Sequence, residues 1–530
     1  MKKNDILNIV YCWVAFILVL AYLKPPLHIP LNDDWVYLLD SIESSNNKSF
    51  SISGMESAWG IPQILIGWAI HNYFPETFVS SSHIVSLFIF LGSLIPLTLF
   101  LRIYYKNVDL LPVYLAYLFF TPSFYLSFTF MTDVLYLLFL ILSLYFIERG
   151  LLYKKIWFVF IAAIFTLLAI SQRQFGVFVA VSAVVCSLYY NFTDSKRRLF
   201  WQKALLISTL PVITTILIFI WWKQLAGFSS SAPTLVDINP KVWIRSAHGI
   251  LALIGMLAFG IILSYRAKVD FLILKNKLFI FISVSLLALT GLRFLFDPHA
   301  PFLTNLISQY GIFTEKVVLL GTRLEYLTPP IRVLLSLIFF GSFIYLLMIK
   351  NSHKLKLSRL KSSYHFGSIT ILSTLLYLGS TIFRGVFFDR YFIPALPLAF
   401  LFLLFPFKNS QKKSFLSVAM ASVPLILFST ILMKDYFSWT HAKWTAAQWT
   451  KSNFPGALIN GGYEWNGWNG FKKQAHPTLI PQKEFQYIIA FSPIDSFRQI
   501  REFPWSSILP PNDRKIYVNE NLNFISPNSK

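Results

Sequence analysis

The spacing of apolar residues constrains this chain most. Between residues 6 and 433, about thirteen apolar runs of roughly 15 to 21 residues follow one another, separated by polar loops. A helix of that length crosses the hydrocarbon core of a bilayer. Only 13% of the residues are charged and 55% are hydrophobic, whereas soluble domains carry about 25% charged residues. We therefore predict an all-α polytopic membrane protein with about 13 transmembrane helices.

The predicted spans share an apolar composition and end at polar or basic residues. Several of them are short for a membrane crossing, so neighbouring runs could merge. They cover residues 6–23, 83–103, 110–127, 132–147, 156–170, 175–190, 205–222, 243–263, 278–296, 333–349, 369–383, 391–405 and 415–433.

The basic residues predict the sidedness of the spans. With the N-terminus in the cytoplasm, every predicted inner loop contains Lys or Arg, whereas outer loops are poor in both, including the long segments 24–82 and 297–332. The formal charge of +22 is spread over these loops and not concentrated on one domain, so it does not indicate a nucleic-acid partner. The lipid bilayer is the predicted partner. An odd number of spans places the C-terminus outside.

The last hundred residues differ from the rest in composition. Residues 1–433 form the predicted transmembrane domain, which includes the external loop 24–82, and residues 434–530 form a predicted small external domain. Within this tail, short runs at residues 457–460, 486–491 and 515–518 read as strands bounded by turn residues. We expect an α/β fold for the tail.

Ionisable side chains collect at the predicted external ends of the spans. Charges at membrane depth are costly, so such positions are candidates for function. An external carboxylate can take a proton from an acceptor, and guanidinium groups can stabilise an anionic leaving group such as a lipid phosphate. The candidates are Asp33, Asp34, Asp133, Arg173, Arg293, Arg384, Asp389 and Arg390.

Three short motifs carry a family resemblance. They are Asp33-Asp34-Trp35-Val36-Tyr37 in the first external loop, Phe130-Met131-Thr132-Asp133 at the next external turn, and Asp389-Arg390-Tyr391-Phe392-Ile393-Pro394 before a late span. In this arrangement the chain resembles the GT-C membrane glycosyltransferases, and in particular the family-39-like bacterial enzymes, which are similar to protein mannosyltransferases and the lipid A aminoarabinose transferase. The resemblance covers the architecture of nearly the whole chain, because that transferase also has thirteen spans and a small periplasmic domain.

The resemblance implies an activity and a site. Members of this group transfer a sugar from a polyprenyl phosphate and invert its anomeric centre. The family motif Asp-Glu-x-x-Tyr falls on Asp33, Asp34 and Tyr37, which places Asp33 at the catalytic position. The chain departs from close relatives of the aminoarabinose enzyme, which carry Arg at the position of Val36 and a Lys-Pro-Pro segment later in the loop. Other cations must then bind the donor phosphate, and the available candidates are Arg173, Arg384 and Arg390.

Each candidate has a purely structural alternative. Asp33 and Asp34 could cap a surface helix, and Asp133 could cap the fourth span, because Asp side chains accept first-turn N–H bonds. Arg173 could extend to the lipid headgroups, and the same applies to Arg384 and Arg390. Asp389 could pair with one of these arginines, and we leave it outside the catalytic set.

Aromatic and amide residues alternate in one tail segment. Tyr463, Glu464, Trp465 and Trp468 could stack against a glycan, but an interfacial belt or a turn-rich packing motif is the alternative we favour. The sequence contains no HExxH motif and no Cys/His cluster, so we predict no structural metal site. A carboxylate-bound divalent metal remains possible.

With the external charges, the resemblance implies an inverting glycosyltransferase of the EC 2.4 class at the outer face of a bacterial inner membrane, with a polyprenyl-phosphate sugar as donor and a glycan, lipid or protein as acceptor. It requires no cofactor. Asp33 is the expected general base, or Asp34 if the register slips, and Asp133 is expected to orient the acceptor or support the base. One alternative is a transporter or flippase for a lipid-linked saccharide, whose site would lie nearer the membrane centre. A second alternative is an inactive member that binds glycan.

Overall fold

The protein is mostly helical in its described residues. The computed structural model describes residues 1–52, 59–225, 240–265, 277–314, 318–349, 367–383, 387–408, 414–470, 482–508, 513–522 and 524. In these parts, ten helical segments are long and apolar enough to cross a membrane. This confirms the prediction of a polytopic membrane protein in that coarser form.

The helices follow the apolar runs along the chain. In chain order they are α1 (Lys3–Leu23), α2 (Asp34–Asn47), α3 (Ile61–Tyr73), α4 (Phe78–Gly92), α5 (Leu94–Tyr104), α6 (Leu111–Phe119), α7 (Thr121–Leu126), α8 (Thr132–Tyr153), α9 (Ile156–Gln172), α10 (Val177–Thr193), α11 (Arg198–Leu225), α12 (Pro240–Ser264), α13 (Lys277–Phe296), α14 (Pro329–Met348), α15 (Ser368–Phe383), α16 (Leu396–Leu404), α17 (Phe415–Asn453) and α18 (Tyr463–Trp468). A 3₁₀-helix, Asp389–Ala395, leads into α16.

Several predicted spans are shorter or less regular than a full membrane crossing. Helices α9 and α15 are apolar but have only 17 and 16 residues. The predicted span at residues 110–127 forms two helices, α6 and α7, because Phe120 is extended and Pro122 cannot continue the preceding helix. The count of thirteen spans therefore stays a prediction.

Helices α2 and α3 lie in the long segment that connects the first two predicted spans. They pack against each other and place Tyr37 and Leu38 of α2 in a buried cluster with Ile64 of α3, together with Phe78 and Phe130. This cluster fixes the first turn of α2 close to the start of α8. The acidic pair at residues 33 and 34 is thereby positioned by packing across three segments of the chain.

The C-terminal region contains a four-stranded sheet. Its strands are β3 (Ile459–Asn460), β4 (Tyr487–Ala490), β5 (Phe497–Ser506) and β6 (Asp513–Asn521), in the order β3-β4-β6-β5. Strands β3 and β4 are parallel, and the other two pairings are antiparallel. The predicted strands at residues 457–460, 486–491 and 515–518 are confirmed. A short hairpin of β1 (Ile307–Ser308) and β2 (Gly311–Ile312) lies apart from this sheet.

Helix α17 connects the helical body to the sheet. It is 39 residues long and passes without a break through the predicted domain boundary at residue 434. The buried carboxylate of Asp435 on α17 accepts hydrogen bonds from Arg323 at 2.8 Å and Ser507 at 2.6 Å. Leu320 forms an isolated β-bridge with Ala490 of β4. These contacts attach the sheet directly to the helices. Helix α18 packs against α2, close to the acidic pair of the first loop.

Candidate functional site

The candidate residues meet at one end of the helical body. The start of α2, the start of α8, the end of α9 and the 3₁₀-helix Asp389–Ala395 contribute side chains that bond to one another. The opposite end is held by other contacts, including the ion pair of Asp5 with Arg102 and the hydrogen bond from Asn8 to Asp109. Four of the end-positioned charges predicted from the sequence therefore lie together, namely Asp33, Asp133, Arg173 and Arg390. Arg293 is not among them, because it pairs with Asp297 and donates to the carbonyl of Arg245.

Asp33 occupies the N-cap position of α2, but its carboxylate makes no capping hydrogen bond. Its Oδ2 accepts a hydrogen bond of 3.0 Å from Arg390, and its Oδ1 accepts one of 2.7 Å from the phenol of Tyr463. The Asp33 side chain keeps 30% of its surface exposed. The carboxylate is thus oriented by two distant segments and still accessible, and the capping interpretation does not explain its position.

Asp34 is fully buried, in contrast to its neighbour. Its Oδ1 accepts the backbone N–H of Leu31 at 2.7 Å, and its Oδ2 lies 2.7 Å from Nε2 of His83 and 3.4 Å from the backbone nitrogen of Phe130. Burial raises the pKa of Asp34 to about 6, against the opposing effect of the His83 hydrogen bond and charge and of the two backbone N–H groups. These contacts tie the loop before α2 to α4 and α8, which is a structural role.

Asp133, in the first turn of α8, forms a buried ion pair with Arg173 at the end of α9. The Oδ2 of Asp133 and the Nε of Arg173 are buried without a hydrogen-bond partner in the described residues. Gln172 helps to fix this corner, because its amide donates to Gln63 at 3.0 Å and to the Thr132 carbonyl at 3.2 Å. The pair therefore retains one acceptor and one donor for a further group.

Arg390 connects the two acidic corners. Besides its bond to Asp33, its guanidinium lies over the ring of Tyr391 at 5.5 Å, and its Nε has no partner among the described residues. The charges of both Asp133 and Asp33 act on this guanidinium. The neighbouring Asp389 is buried and accepts backbone N–H bonds from Leu306 and Ile307 at 2.6–2.9 Å. Arg390 pairs with Asp33 instead of Asp389, and Arg384 lies outside the described residues, so a pairing of Asp389 with Arg384 stays a prediction.

Two other predicted site residues are Tyr37 and Arg384. Tyr37 is buried beside Gly60, where a Cβ atom would lie 2.6 Å from the Tyr37 ring. Gly60 also has a φ of +58°, which favours glycine, so this close approach needs that residue. Arg384 lies outside the described residues.

The tail segment reaches the site through Tyr463. Burial, together with the charge and hydrogen bond of Asp33, raises the pKa of the Tyr463 phenol well above its usual range, so the phenol is a proton donor to the carboxylate. Glu464 forms a buried ion pair with Lys443, and the buried ring of Trp465 packs against Trp444 at 5.2 Å between centroids.

Trp468, the last aromatic residue of that segment, is half-buried and packs against a small cluster formed by Trp35 and Val36. The burial of Glu464 and Trp465 favours the packing interpretation for these two residues. Binding of a glycan by Tyr463, Glu464, Trp465 and Trp468 stays a prediction.

The assembled site holds two carboxylates, Asp33 and Asp133, and two guanidiniums, Arg173 and Arg390. We call these four residues with Tyr463 the charged cluster. A carboxylate that is oriented and partly exposed can accept a proton, and adjacent guanidinium N–H groups can bind phosphate oxygens. Within the described ranges, no group of three or more His, Cys, Asp or Glu side chains could hold a metal ion.

Sequence reasoning missed the role of three residues near the cluster. His83 orients Asp34, while Gln63 and Gln172 orient the corner that holds Arg173. Of these three residues, only Gln172 could have been found from the sequence, because it directly precedes Arg173 in a predicted external turn. No family model, no curated protein and no solved structure matches this chain.

Proposed function

We propose that this protein is an inverting glycosyltransferase that moves a sugar from a polyprenyl phosphate to an acceptor at the outer face of a bacterial inner membrane. One observation carries the proposal. The partly exposed carboxylate of Asp33 is held by Arg390 and Tyr463 next to the buried pair of Asp133 and Arg173. This combination supplies a base and two guanidiniums at one end of a bundle of apolar helices.

Asp33 is the proposed general base. As an acceptor hydroxyl or amine attacks the anomeric carbon, one Asp33 oxygen takes its proton, and the bond between that carbon and the phosphate oxygen breaks. The bond electrons leave with the phosphate, and attack from the opposite face inverts the anomeric centre. Asp34 is the weaker candidate because it is fully buried and engaged with His83 and two backbone N–H groups.

Arg390 and Arg173 are the proposed phosphate ligands. Each has a buried Nε–H without a partner in the described residues, and buried N–H groups left without a partner cost free energy. A phosphate oxygen would satisfy them through charge-assisted bonds, which strengthen as the leaving group gains charge. Arg384 remains a proposed ligand from the sequence alone.

Asp133 has a positioning role in this proposal. Its ion pair with Arg173 holds that guanidinium at the site, and its partnerless Oδ2 is free to accept a hydrogen bond from the acceptor. The ring of Tyr37 packs closely against Gly60. In this proposal Tyr37 supports the groups that touch the substrate and does not touch the substrate itself. These steps use side chains of the chain itself and require no cofactor.

The activity test uses the purified full chain in proteoliposomes with a radiolabelled polyprenyl-phosphate sugar and extracted envelope lipids and glycans as acceptors. Asp33→Asn should lower turnover by about 100-fold or more, because proton removal by a positioned base contributes that much. Glu76→Gln is the matched control, since Glu76 is an exposed carboxylate in the same segment between the first two predicted spans.

Three outcomes separate the hypotheses. Transfer of label that depends on Asp33 and not on Glu76 supports the proposal. Equal turnover in wild type and Asp33→Asn would refute the assignment of the base. Movement of the labelled lipid across the bilayer without a new glycosidic bond would replace the transferase with the flippase alternative.

A further inference from the structure

A cavity lies away from the charged cluster. It has a volume of about 410 Å³ and lies between the C-terminal end of α1, the middle of α17 and strand β5. Pockets of roughly 300–1,000 Å³ are typical of small-ligand sites. We call it the seam cavity, because it opens where the helical body meets the sheet.

The seam cavity is lined by basic side chains without a matching acid. Lys24 and Lys434 contribute ammonium groups and His441 an imidazole, while no Asp or Glu lines it. The next acidic residue along α17, Asp435, is turned away and bonded to Arg323 and Ser507. The positive charge at the cavity is therefore not neutralised by the side chains that form it.

The ammonium groups of both lysines have N–H donors available for a ligand. The Lys434 ammonium makes long contacts, 3.4–3.5 Å, to the carbonyls of Tyr22 and Leu23 at the end of α1 and lies 5.5 Å from the centre of the Tyr22 ring. An ammonium has three N–H donors. Lys24 is exposed, and no hydrogen bond of its ammonium is found within the described ranges. Both can point a donor at an anion.

Part of the wall of the seam cavity is aromatic. Phe437, Phe503 and Trp505 line it, and Trp505 is only 7% exposed. The indole Nε1 of Trp505 is buried without a hydrogen-bond partner in the described part of the chain. Because a buried indole N–H normally finds an acceptor, this wall indicates a ligand that accepts hydrogen bonds.

The position along the helices indicates a lipid. Helix α1 ends at Leu23, and the predicted last span ends at residue 433, so the seam cavity lies at the level where two predicted spans leave the bilayer. Tryptophan side chains concentrate at that level in membrane proteins, and lysine side chains near helix ends extend to it. Below it, α1 exposes Val14, Ile17 and Leu18 by 50–66%, which gives acyl chains an apolar surface to follow.

We propose that the seam cavity binds the phosphate headgroup of an anionic phospholipid. Lys24 and Lys434 pair with the phosphate, the indole N–H of Trp505 donates to one of its oxygens, and the acyl chains lie along α1. The bound lipid joins α1 and α17 to β5 and so stabilises the seam. This inference does not depend on the proposed transferase activity.

The test measures lipid binding by native mass spectrometry of the full chain purified in detergent, titrated with phosphatidylglycerol, phosphatidylcholine or inorganic phosphate. One phosphatidylglycerol should bind more tightly than phosphatidylcholine. Lys24→Gln with Lys434→Gln should weaken phosphatidylglycerol binding by about 10- to 30-fold, since each basic residue near an anionic surface contributes roughly fivefold. Lys24→Gln alone should weaken phosphatidylglycerol binding about fivefold. Because this variant keeps Lys434, its weaker binding cannot come from a folding defect caused by the loss of Lys434.

The charge-matched control is Lys48→Gln with Lys451→Gln, which removes two lysines outside the cavity lining and should change the affinity less than twofold. Equal phosphatidylglycerol affinity in wild type and the cavity variants would overturn the proposal. Tight binding of inorganic phosphate that is lost in the same variants would assign the site to a free phosphate instead of a lipid. Equal binding of phosphatidylcholine would also contradict it.

Discussion

The phenol of Tyr463 donates a hydrogen bond of 2.7 Å to Oδ1 of Asp33, across 430 residues of sequence. The other oxygen of Asp33 is held by Arg390 at 3.0 Å. The orientation of the carboxylate is therefore set jointly by the tail and by the entry to a late predicted span. Tyr463 was a candidate for stacking on a glycan, and its contact with Asp33 gives it a positioning role in the proposed mechanism.

Tyr463→Phe should lower kcat about tenfold while the KM for the donor changes less than twofold. The substitution keeps the ring and removes only the hydrogen bond to the carboxylate, and bonds to charged groups contribute roughly 1.5–3 kcal/mol. We place the effect at the lower end because Arg390 still holds the other oxygen. Steady-state kinetics with the labelled donor measures both constants.

Tyr73→Phe is the control for this variant, because Tyr73 is 80% exposed. A rise in the acceptor KM at unchanged kcat would contradict the positioning role. It would show that the Tyr463 phenol touches the acceptor instead of orienting the base.

Gly467→Ala should disturb the same contact indirectly. A Cβ atom at Gly467 would lie 2.3–2.6 Å from the ring of Trp35, so α18 must move away from α2. Such overpacking costs typically 1–3 kcal/mol, and it should lower both the melting temperature and the turnover. Gly341→Ala is the control, since a Cβ atom there meets nothing within 4 Å and should leave both quantities almost unchanged. Equal melting temperatures for the two variants would show that α18 does not depend on this contact.

Asp133 and Arg173 should behave as a coupled pair. Each is buried, so Asp133→Asn leaves an unpaired guanidinium and Arg173→Gln leaves an unpaired carboxylate, and each should cost about 3–5 kcal/mol of stability. The double variant should cost less than the sum of the two, by roughly 1–3 kcal/mol. Denaturant unfolding of all four proteins measures this coupling.

The pair of Arg498 and Glu520, whose side chains are 63% and 24% exposed, provides the comparison. Replacing both residues by Gln should change stability little, because solvent screens exposed ion pairs. Strict additivity of the Asp133 and Arg173 effects would mean that the two side chains do not share a buried ion pair in the folded protein.

The sequence predicted the helices and strands that short-range patterns of apolar residues determine. Apolar runs located the helices because bilayer thickness fixes their length, and three of the four strands of the sheet were found from short apolar segments between turns. Strand β5 was missed because it lies at the edge of the sheet, where Arg498, Gln499 and Glu502 interrupt the alternation of apolar and polar residues. The end of α17 was missed because its hydropathy falls after residue 433 while the helix continues to Asn453.

The sequence predicted which residues form the candidate site, but it did not predict which of them bond to one another. Asp33 and Asp34 look equivalent in sequence, and only tertiary contacts distinguish them. Asn32 takes a left-handed conformation with φ of 56°, after which Asp34 turns inward to His83 and Asp33 outward to Arg390. Partners that lie 49 and 357 residues away leave no local pattern.

Asp34 should make stability depend on pH between about 4 and 6. Burial raises its pKa to about 6 from 3.8, so the folded protein binds this proton more tightly than the unfolded chain. The stabilisation from Asp34 is therefore complete below pH 3.8 and is lost as the pH rises through 6, by about 3 kcal/mol in total at 1.36 kcal/mol per pKa unit. Asp34→Asn does not titrate, so the melting temperature of wild type relative to this variant should fall by a few degrees over that window.

His83 supplies the critical comparison, because its hydrogen bond and charge lower the pKa of Asp34. His83→Gln should therefore raise that pKa further and move the loss of stability to higher pH, and Asp34→Asn in the His83→Gln background should again remove it. Asp495→Asn, at an exposed carboxylate, should leave the wild-type curve unchanged. Parallel melting curves for wild type and Asp34→Asn from pH 4 to 7 would show that Asp34 has the same proton affinity in the folded and unfolded states, and burial would then have no net effect on it.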